Sequence, residues 1–318
     1  MAINKATRAV LKALSYGEIH VNSSRVFANI KALDPMKPFY KTIDTKIYNG
    51  EHEVPIRIYM PGEDVSQAAG MSGNTLPVLL FMHGGGWITE TVDNYDRVCA
   101  ALAKNTGQAV VSVGYRLAPE FPFPAGLEDC YAVAKAIYTN RFLLNIDPER
   151  ITLIGDSAGG NLTAAISLMA RDLGDFMPKR QILIYPALNN DYSESSPYPS
   201  VMENGTDFLL TQQKLVQYLD LYQSSPEDRQ SPYFAPLLAK DFSHQPRTLI
   251  ITGEYDPLRD EGEAYGKKLE AAGVDVEVHR IKDALHGFFA LGIKYLHVEE
   301  SFKIINQFLN EEANRVQS

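Results

Sequence analysis

Ser157 lies in the run Gly155-Asp156-Ser157-Ala158-Gly159, a G-x-S-x-G pattern set where the apolar stretch RITLIG (150–155) ends and a helix-forming segment begins. A serine in this setting can serve as a nucleophile. A tight strand-to-helix turn lifts its oxygen above the sheet edge, and glycines two residues before and after avoid the clash that bulky neighbours would make. The helix that follows presents backbone N–H groups with no partner of their own. A nucleophilic serine needs a base, and the base needs a group that orients it. Among the seven histidines, His286 in ALHGFF lies just past the last strand-like run, at the edge where Ser157 would sit. The others fit less well: His20 is in the N-terminal segment, His52 in a hairpin turn, His244 in a polar loop, His279 within a strand and His297 at the start of the terminal helix. Asp256, in GEYDPLRDEG, follows the strand-like RTLIITG (247–253), and Pro257 suits the first turn of a helix. Asp256 is the favoured acid. Asp260 is its rival one helical turn on, although Asp260 and Glu261 also fit a helix start that favours carboxylates anyway.

A second constellation is His83-Gly84-Gly85-Gly86-Trp87, directly after PVLLFM (77–82). Three successive glycines cost conformational entropy, and they make sense where backbone amides must approach a ligand closely. That ligand would be the oxyanion of a tetrahedral intermediate, held by amides of the Gly84, Gly85 and Gly86 stretch together with the Ala158 N–H. His83 is expected to brace the loop through its ring nitrogens, with Asp156 as a second support. No Lys-Ser/Thr follows, as a phosphate-binding loop would need, and the spacing fails G-x-G-x-x-G. No dinucleotide site is therefore expected, and no metal site is expected either.

The elements that must position these residues alternate. Strands are expected at 42–48, 54–60, 77–83, 109–115, 150–155, 181–187, 247–253 and 274–281, with the first two forming a hairpin. Helices are expected at 94–107, 127–142, 158 to about 172, 259–273 and from about 298 to 315. This rhythm implies an α/β fold with crossover connections and a mostly parallel, eight-stranded sheet. Residues 62–74, polar and glycine-rich, read as a surface loop. Two parts break the rhythm: an N-terminal helical segment (1–41) before the core (42–318), and a long excursion at about 189–236 with one helix, TQQKLVQYLDLYQ. Both are expected to form a helical cap over the C-terminal edge of the sheet. Within it, Phe208, Leu209, Leu210 and Tyr222 are candidates for an apolar pocket wall, with ordinary helix packing the favoured alternative.

The chain has 318 residues, a net charge of -9 and two cysteines, Cys99 and Cys130. The acidic balance argues against nucleic acid and against anionic membranes. Two cysteines in a chain this long do not make a disulfide framework, so buried thiols in a reducing compartment are expected. The first 20 residues contain no uninterrupted apolar segment of the secretory type, and no stretch approaches the length of a membrane span. A cytoplasmic protein with no stable membrane association is the expectation.

HGGGW, YRLAPE (115–120), GDSAGGNL, SPYFAPLLAKDF (231–242) and DPLRDEG followed by HGF together resemble the hormone-sensitive-lipase family of α/β-hydrolases, in the same order, over about residues 77–290. The chain order Ser157, Asp256, His286 is also the one expected for that fold. The resemblance implies a serine carboxylesterase acting on small-molecule esters of short acyl chains, without a cofactor, and it is compatible with a homodimer. It implies Ser157 as nucleophile, Asp256 as acid and His286 as base, with oxyanion donors from Gly84–Gly86 and Ala158. Arg116 and Glu120 are expected to tie the loop after strand 109–115. An amide hydrolase using the same triad is the alternative, and a non-catalytic ligand-binding protein a remote one.

Overall fold

β3 (Leu76–Met82) is apolar at every position and buried at nearly all of them, as a strand covered on both faces must be. It lies inside an eight-stranded sheet of order β1-β2-β4-β3-β5-β6-β7-β8. β1 (Thr42–Asn49) and β2 (His52–Tyr59) form the expected hairpin, and β2 also runs antiparallel to β4 (Ala109–Val113). From β4 onward every pairing is parallel: β3, β5 (Ile146–Asp156), β6 (Arg180–Ile184), β7 (Arg247–Tyr255) and β8 (Val276–Leu285). The computed structural model describes residues 5–15, 17–31, 33–62, 75–139, 145–291 and 295–315. The expected surface loop at 62–74 and the end of the helix expected to reach 142 fall largely outside them.

Side-chain alternation along the strands feeds two core layers. Val78, Leu80 and Met82 of β3 join Val111, Val113 and Leu153 against α4 (Ala125–Thr139) and α5 (Ala158–Leu173). Leu79 and Phe81 point the other way and join Val110, Ile154 and Ile182 against α3 (Asp96–Thr106) and α9 (Leu296–Arg315). α8 (Arg259–Ala271) packs Tyr265 and Leu269 on Leu183 and Ile250. Helices thus cover both faces, which is why the parallel strands carry no polar stripe.

The segments outside the alternation lie against one another. α1 (Lys5–Ser15) sends Arg8 to Asp207 at 2.8 Å, and its Ser15 hydroxyl accepts from Leu209 N–H. Ile19 N–H donates to Gln217 of α7 (Gln212–Tyr222). The 189–236 excursion also holds a short helix, α6 (Pro199–Asn204), that the sequence did not announce. No helix among the described residues is long and apolar enough to cross a membrane.

β5 and α5 approach β3 so closely that a side chain at Gly159 has no room: a Cβ there would sit 2.0 Å from Met82 O and 2.6 Å from His83 O, both backbone atoms. Gly159→Ala should therefore lower stability by roughly 3 kcal/mol, the upper end for overpacking. Gly62→Ala, where a Cβ meets nothing within 4 Å, should stay within about 0.5 kcal/mol of the parent. Thermal or urea melts of the two variants check this, and equal melts would contradict the close approach.

Candidate active site

A parallel sheet places the C-terminal ends of its strands along one edge, where ligand sites of such sheets lie. Here that edge collects the loop after β3 (His83–Trp87), Ser157 after β5, Tyr185 after β6, Asp256 after β7 and His286 after β8. Residues 30 to more than 120 positions apart meet because each is the first or second residue past a strand, or close to it.

Ser157 has φ 54° and ψ −119°, a conformation costly for a residue with a side chain. The packing around it holds the turn. A Cβ at Gly155 would lie 2.3 Å from Gly159 O, so the glycines on either side of the serine exist for each other. Ser157 N–H donates to Ile184 O, and its own carbonyl accepts from Asn161 N–H and Ala187 N–H. The Ser157 hydroxyl donates to His286 Nε2 at 2.9 Å, and His286 Nδ1–H donates to Asp256 Oδ2 at 2.8 Å. Asp256 is fully buried, and its second oxygen accepts from Leu258 N–H at 2.8 Å. Asp260 is turned elsewhere: it accepts from Ser200 N–H of α6 and pairs with Arg259.

The glycine loop departs from expectation at Gly84. Its N–H donates to Asp156 Oδ1 at 2.8 Å and lies 3.2 Å from the Tyr95 hydroxyl, so this amide is engaged and is withdrawn from the expected oxyanion donors. Gly85, Gly86 and Ala158 line the cavity with Ser157, and among the described residues their N–H groups have no acceptor. Gly85 (φ 105°) and Gly86 (φ 61°) use backbone conformations that favour glycine, and a Cβ on Gly86 would strike the Tyr218 ring at 2.3 Å. Trp87, at φ 64°, holds the far end of the loop by stacking on Tyr222 with 4.3 Å between ring centroids, while its carbonyl accepts from Ala118 N–H. His83 lies beside the loop: its Nδ1–H donates to Gly84 O, its ring stacks on Tyr115, and burial pushes its pKa down to about 4. It stays neutral at physiological pH.

The cavity over Ser157 measures about 440 Å³. Its apolar wall is made of Trp87, Leu210, Leu215, Tyr218, Leu219 and Leu258. Of the residues anticipated for such a wall, Leu210 lines it. Phe208 instead stacks on Tyr255, Tyr222 lies behind Trp87, and Leu209 is partly exposed. Leu215, Tyr218 and Leu219 were not singled out from sequence. Their helical spacing on α7 was visible, but not the face turned to Ser157. Arg116 ties its loop to α4 through a two-point pair with Asp129. Glu120 ties the same loop to α2 (Val21–Lys31) by pairing with Arg25, whose guanidinium also donates to Ile88 O and Ala118 O. Asp283, unexplained from sequence, donates its N–H to Glu254 and has a φ of 60°. Among the described residues no group of three or more His, Cys, Asp or Glu side chains could hold a metal ion.

Glu261 was read only as a helix-start carboxylate, yet it is fully buried. One oxygen accepts from Leu188 N–H, Asn189 N–H and the hydroxyl of Tyr192, a cavity residue. Burial pushes its pKa up to about 8, against the pull of those donors, and the charge of nearby Asp256 adds to the rise. The folded state thus keeps a proton that the unfolded chain, at an ordinary 4.5, releases. The resulting penalty is absent below pH 4.5, grows as pH rises and is complete above about 8. Glu261→Gln keeps an acceptor for the amides and removes the titration. Its melting temperature relative to wild type should therefore climb between pH 5 and 9, and a constant difference would refute the buried proton.

The chain is similar to known proteins over most of its length. A model of the α/β hydrolase fold family matches residues 79–290. Ethyl acetate hydrolase of Pseudomonas putida is 34% identical over 261 residues, 82% of this chain and 79% of that one. Carboxylesterase NlhH of Mycobacterium tuberculosis is 37% identical over 77% of this chain and 74% of its own. A solved hyperthermophilic esterase from the archaeon Pyrobaculum calidifontis superposes with a TM-score of 0.85 at 35% identity, covering 98% of this chain and 99% of that one. With the sheet order, the serine turn and the glycine loop, these matches identify the chain as a member of the hormone-sensitive-lipase-like family of α/β-hydrolases.

Proposed function

We propose that this chain is a serine carboxylesterase that hydrolyses short-chain acyl esters through an acyl-enzyme on Ser157. The chain is a carboxylic ester hydrolase by its relatives, which are esterases at 34–37% identity, and its substrates are small-molecule esters. The observation that carries the finer reading is the unbroken line of hydrogen bonds, 2.8 and 2.9 Å, from Asp256 through His286 to Ser157, ending beside the amides of Gly85, Gly86 and Ala158.

In this reading neutral His286 accepts the Ser157 proton at Nε2 as the oxygen attacks the ester carbonyl. Amides of Gly85, Gly86 and Ala158 receive the oxyanion, aided by the N-terminus of α5. Asp256 holds the Nδ1–H tautomer and stabilises the imidazolium. His286 then protonates the departing alcohol, and water repeats the sequence on the acyl-enzyme. The N-terminal segment (1–41) and the 189–236 excursion act as a cap. The excursion's contribution to the wall, Leu210, Leu215, Tyr218 and Leu219, supports an acyl site of limited depth. A cavity of about 440 Å³ that also contains the catalytic groups suits acyl chains from acetyl to about hexanoyl, near the small end of ligand sites. Two buried free thiols, Cys99 and Cys130, support a cytoplasmic setting.

Initial rates on p-nitrophenyl esters from acetate to palmitate test the reading. Ser157→Ala should lose roughly 10⁴–10⁶-fold in kcat, and wild type should favour the short esters. A fully active Ser157→Ala would overturn the nucleophile, and palmitate turned over faster than butyrate would overturn the short-acyl site.

A further inference from the structure

Asp156 takes no part in the proton and acyl transfers above, yet it is the most heavily engaged carboxylate beside them. It is 2% exposed and directly precedes Ser157. Three buried donors converge on it: Gly84 N–H on Oδ1 at 2.8 Å, and the hydroxyls of Tyr95 at 2.8 Å and Tyr185 at 3.1 Å on Oδ2. Among the described residues no lysine or arginine pairs with it. A buried carboxylate without a cationic partner is costly. The cation that would arise nearby is the His286 imidazolium. The Tyr185 ring lies 4.8 Å from the His286 ring, with its hydroxyl on Asp156.

We propose that Asp156 is a positioning residue with two linked tasks, a reading that rests on the acyl-transfer mechanism above: its ionised carboxylate anchors Gly84 so that Gly85 and Gly86 face the oxyanion, and its charge, transmitted beside the Tyr185 ring, favours the His286 imidazolium.

The donor set explains why the charge matters. A backbone N–H can only donate, so Gly84 requires an acceptor at Oδ1. A protonated carboxyl would bring a fourth hydrogen to a site already facing three. Loss of the charge should therefore loosen the glycine loop and also remove the second negative group near His286, the first being Asp256 on Nδ1. Burial is the main influence on Asp156 and lifts its pKa to about 6, while its donors and His286 pull it back. The other groups facing it do not share this titration. Tyr95, ahead of α3, Tyr115, after β4, and Tyr185, after β6, are held well above 10 by burial. Cys99 of α3 is likewise raised, and His83, after β3, is pushed down to about 4. The charge of Glu90 adds to the rise of Tyr95.

The test is the pH dependence of kcat and kcat/KM for wild type, Asp156→Asn, Tyr185→Phe and Ser157→Ala on one short ester. Asp156→Asn keeps an acceptor for Gly84 but turns an NH2 group toward the Tyr95 and Tyr185 hydroxyls that now donate to Oδ2, so it should lose about 10–10²-fold in kcat, with KM little changed, as for a displaced glycine loop. Its acid limb should move to lower pH by roughly half a unit to one unit, because a negative charge near His286 is gone. Tyr185→Phe should move the acid limb the other way, because Asp156 with one donor fewer keeps its proton to higher pH. A merely structural role would lower activity or stability without opposed shifts, so unmoved limbs in both variants, or a change in KM alone, would overturn the proposal. If Asp156→Asn does not fold, the upward shift in Tyr185→Phe carries the test, and its absence overturns the proposal. Activity in Ser157→Ala would defeat the esterase mechanism itself, whereas an inactive Ser157→Ala with unmoved limbs would defeat only the role of Asp156.

Discussion

The close approach of three backbones at the end of β5 is the constraint from which the site follows. Gly155, Gly159 and the carbonyls of Met82 at the end of β3 and of His83 just past it leave no space for a single added methyl group. That contact forces Ser157 into a positive-φ turn, sets its hydroxyl above the sheet edge and points the first turn of α5 at the same spot. The strain, of order 1–3 kcal/mol for one such residue, is tolerated because β3, β5 and β6 are buried on both faces and cannot relax. A surface loop could not hold this geometry. The nucleophile turn therefore depends on the core of the whole sheet.

Around the turn, several buried polar groups draw their partners from different strand ends. Asp156 gathers donors from the glycine loop, from the segment before α3 and from the residue after β6. His83 is fixed by Gly84 and Tyr115, and Glu261 fastens the 188–189 backbone and Tyr192. Such networks are costly when incomplete and rigid when complete. Here they act as spacers that fix the distance between the serine turn and the glycine loop, a distance that hydrophobic packing alone would leave soft. Their pKa values move in different directions because burial favours the neutral form of each group: upward for the carboxyls Asp156 and Glu261, downward for the imidazole His83.

The N-terminal helices are joined to this arrangement on two sides. Arg25 of α2 reaches the carbonyl of Ile88, just past the glycine loop, and the Asn94 side-chain amide donates to Ala28 O in the same helix. α1 is tied instead to the 207–217 region, which carries the apolar wall of the cavity. One end of the chain thus touches both the loop beside the nucleophile and the wall opposite it, so substitutions in α1 or α2 have a physical route to the site.

Much of this was legible in the amino-acid order. Apolar runs such as PVLLFM and RITLIG read as buried strands, and G-x-S-x-G takes its steric meaning from the junction of a strand and a helix at which it stands. His286 and Asp256 could be chosen because parallel strands bring their ends to one edge. What remained hidden needed distances. Only the folded chain separates Gly84, whose amide serves Asp156, from Gly85 and Gly86. Only folding buries Glu261, which a helix N-terminus would have accommodated in water equally well. The cavity wall falls to Leu215, Tyr218 and Leu219 rather than to Phe208 and Tyr222 because the rotation of α7 is set by what packs behind it. Local sequence determined which residues could do chemistry, since backbone sterics and hydrophobic periodicity act over a few residues. Tertiary structure decided which of them face Ser157, since that depends on contacts between segments far apart in the chain.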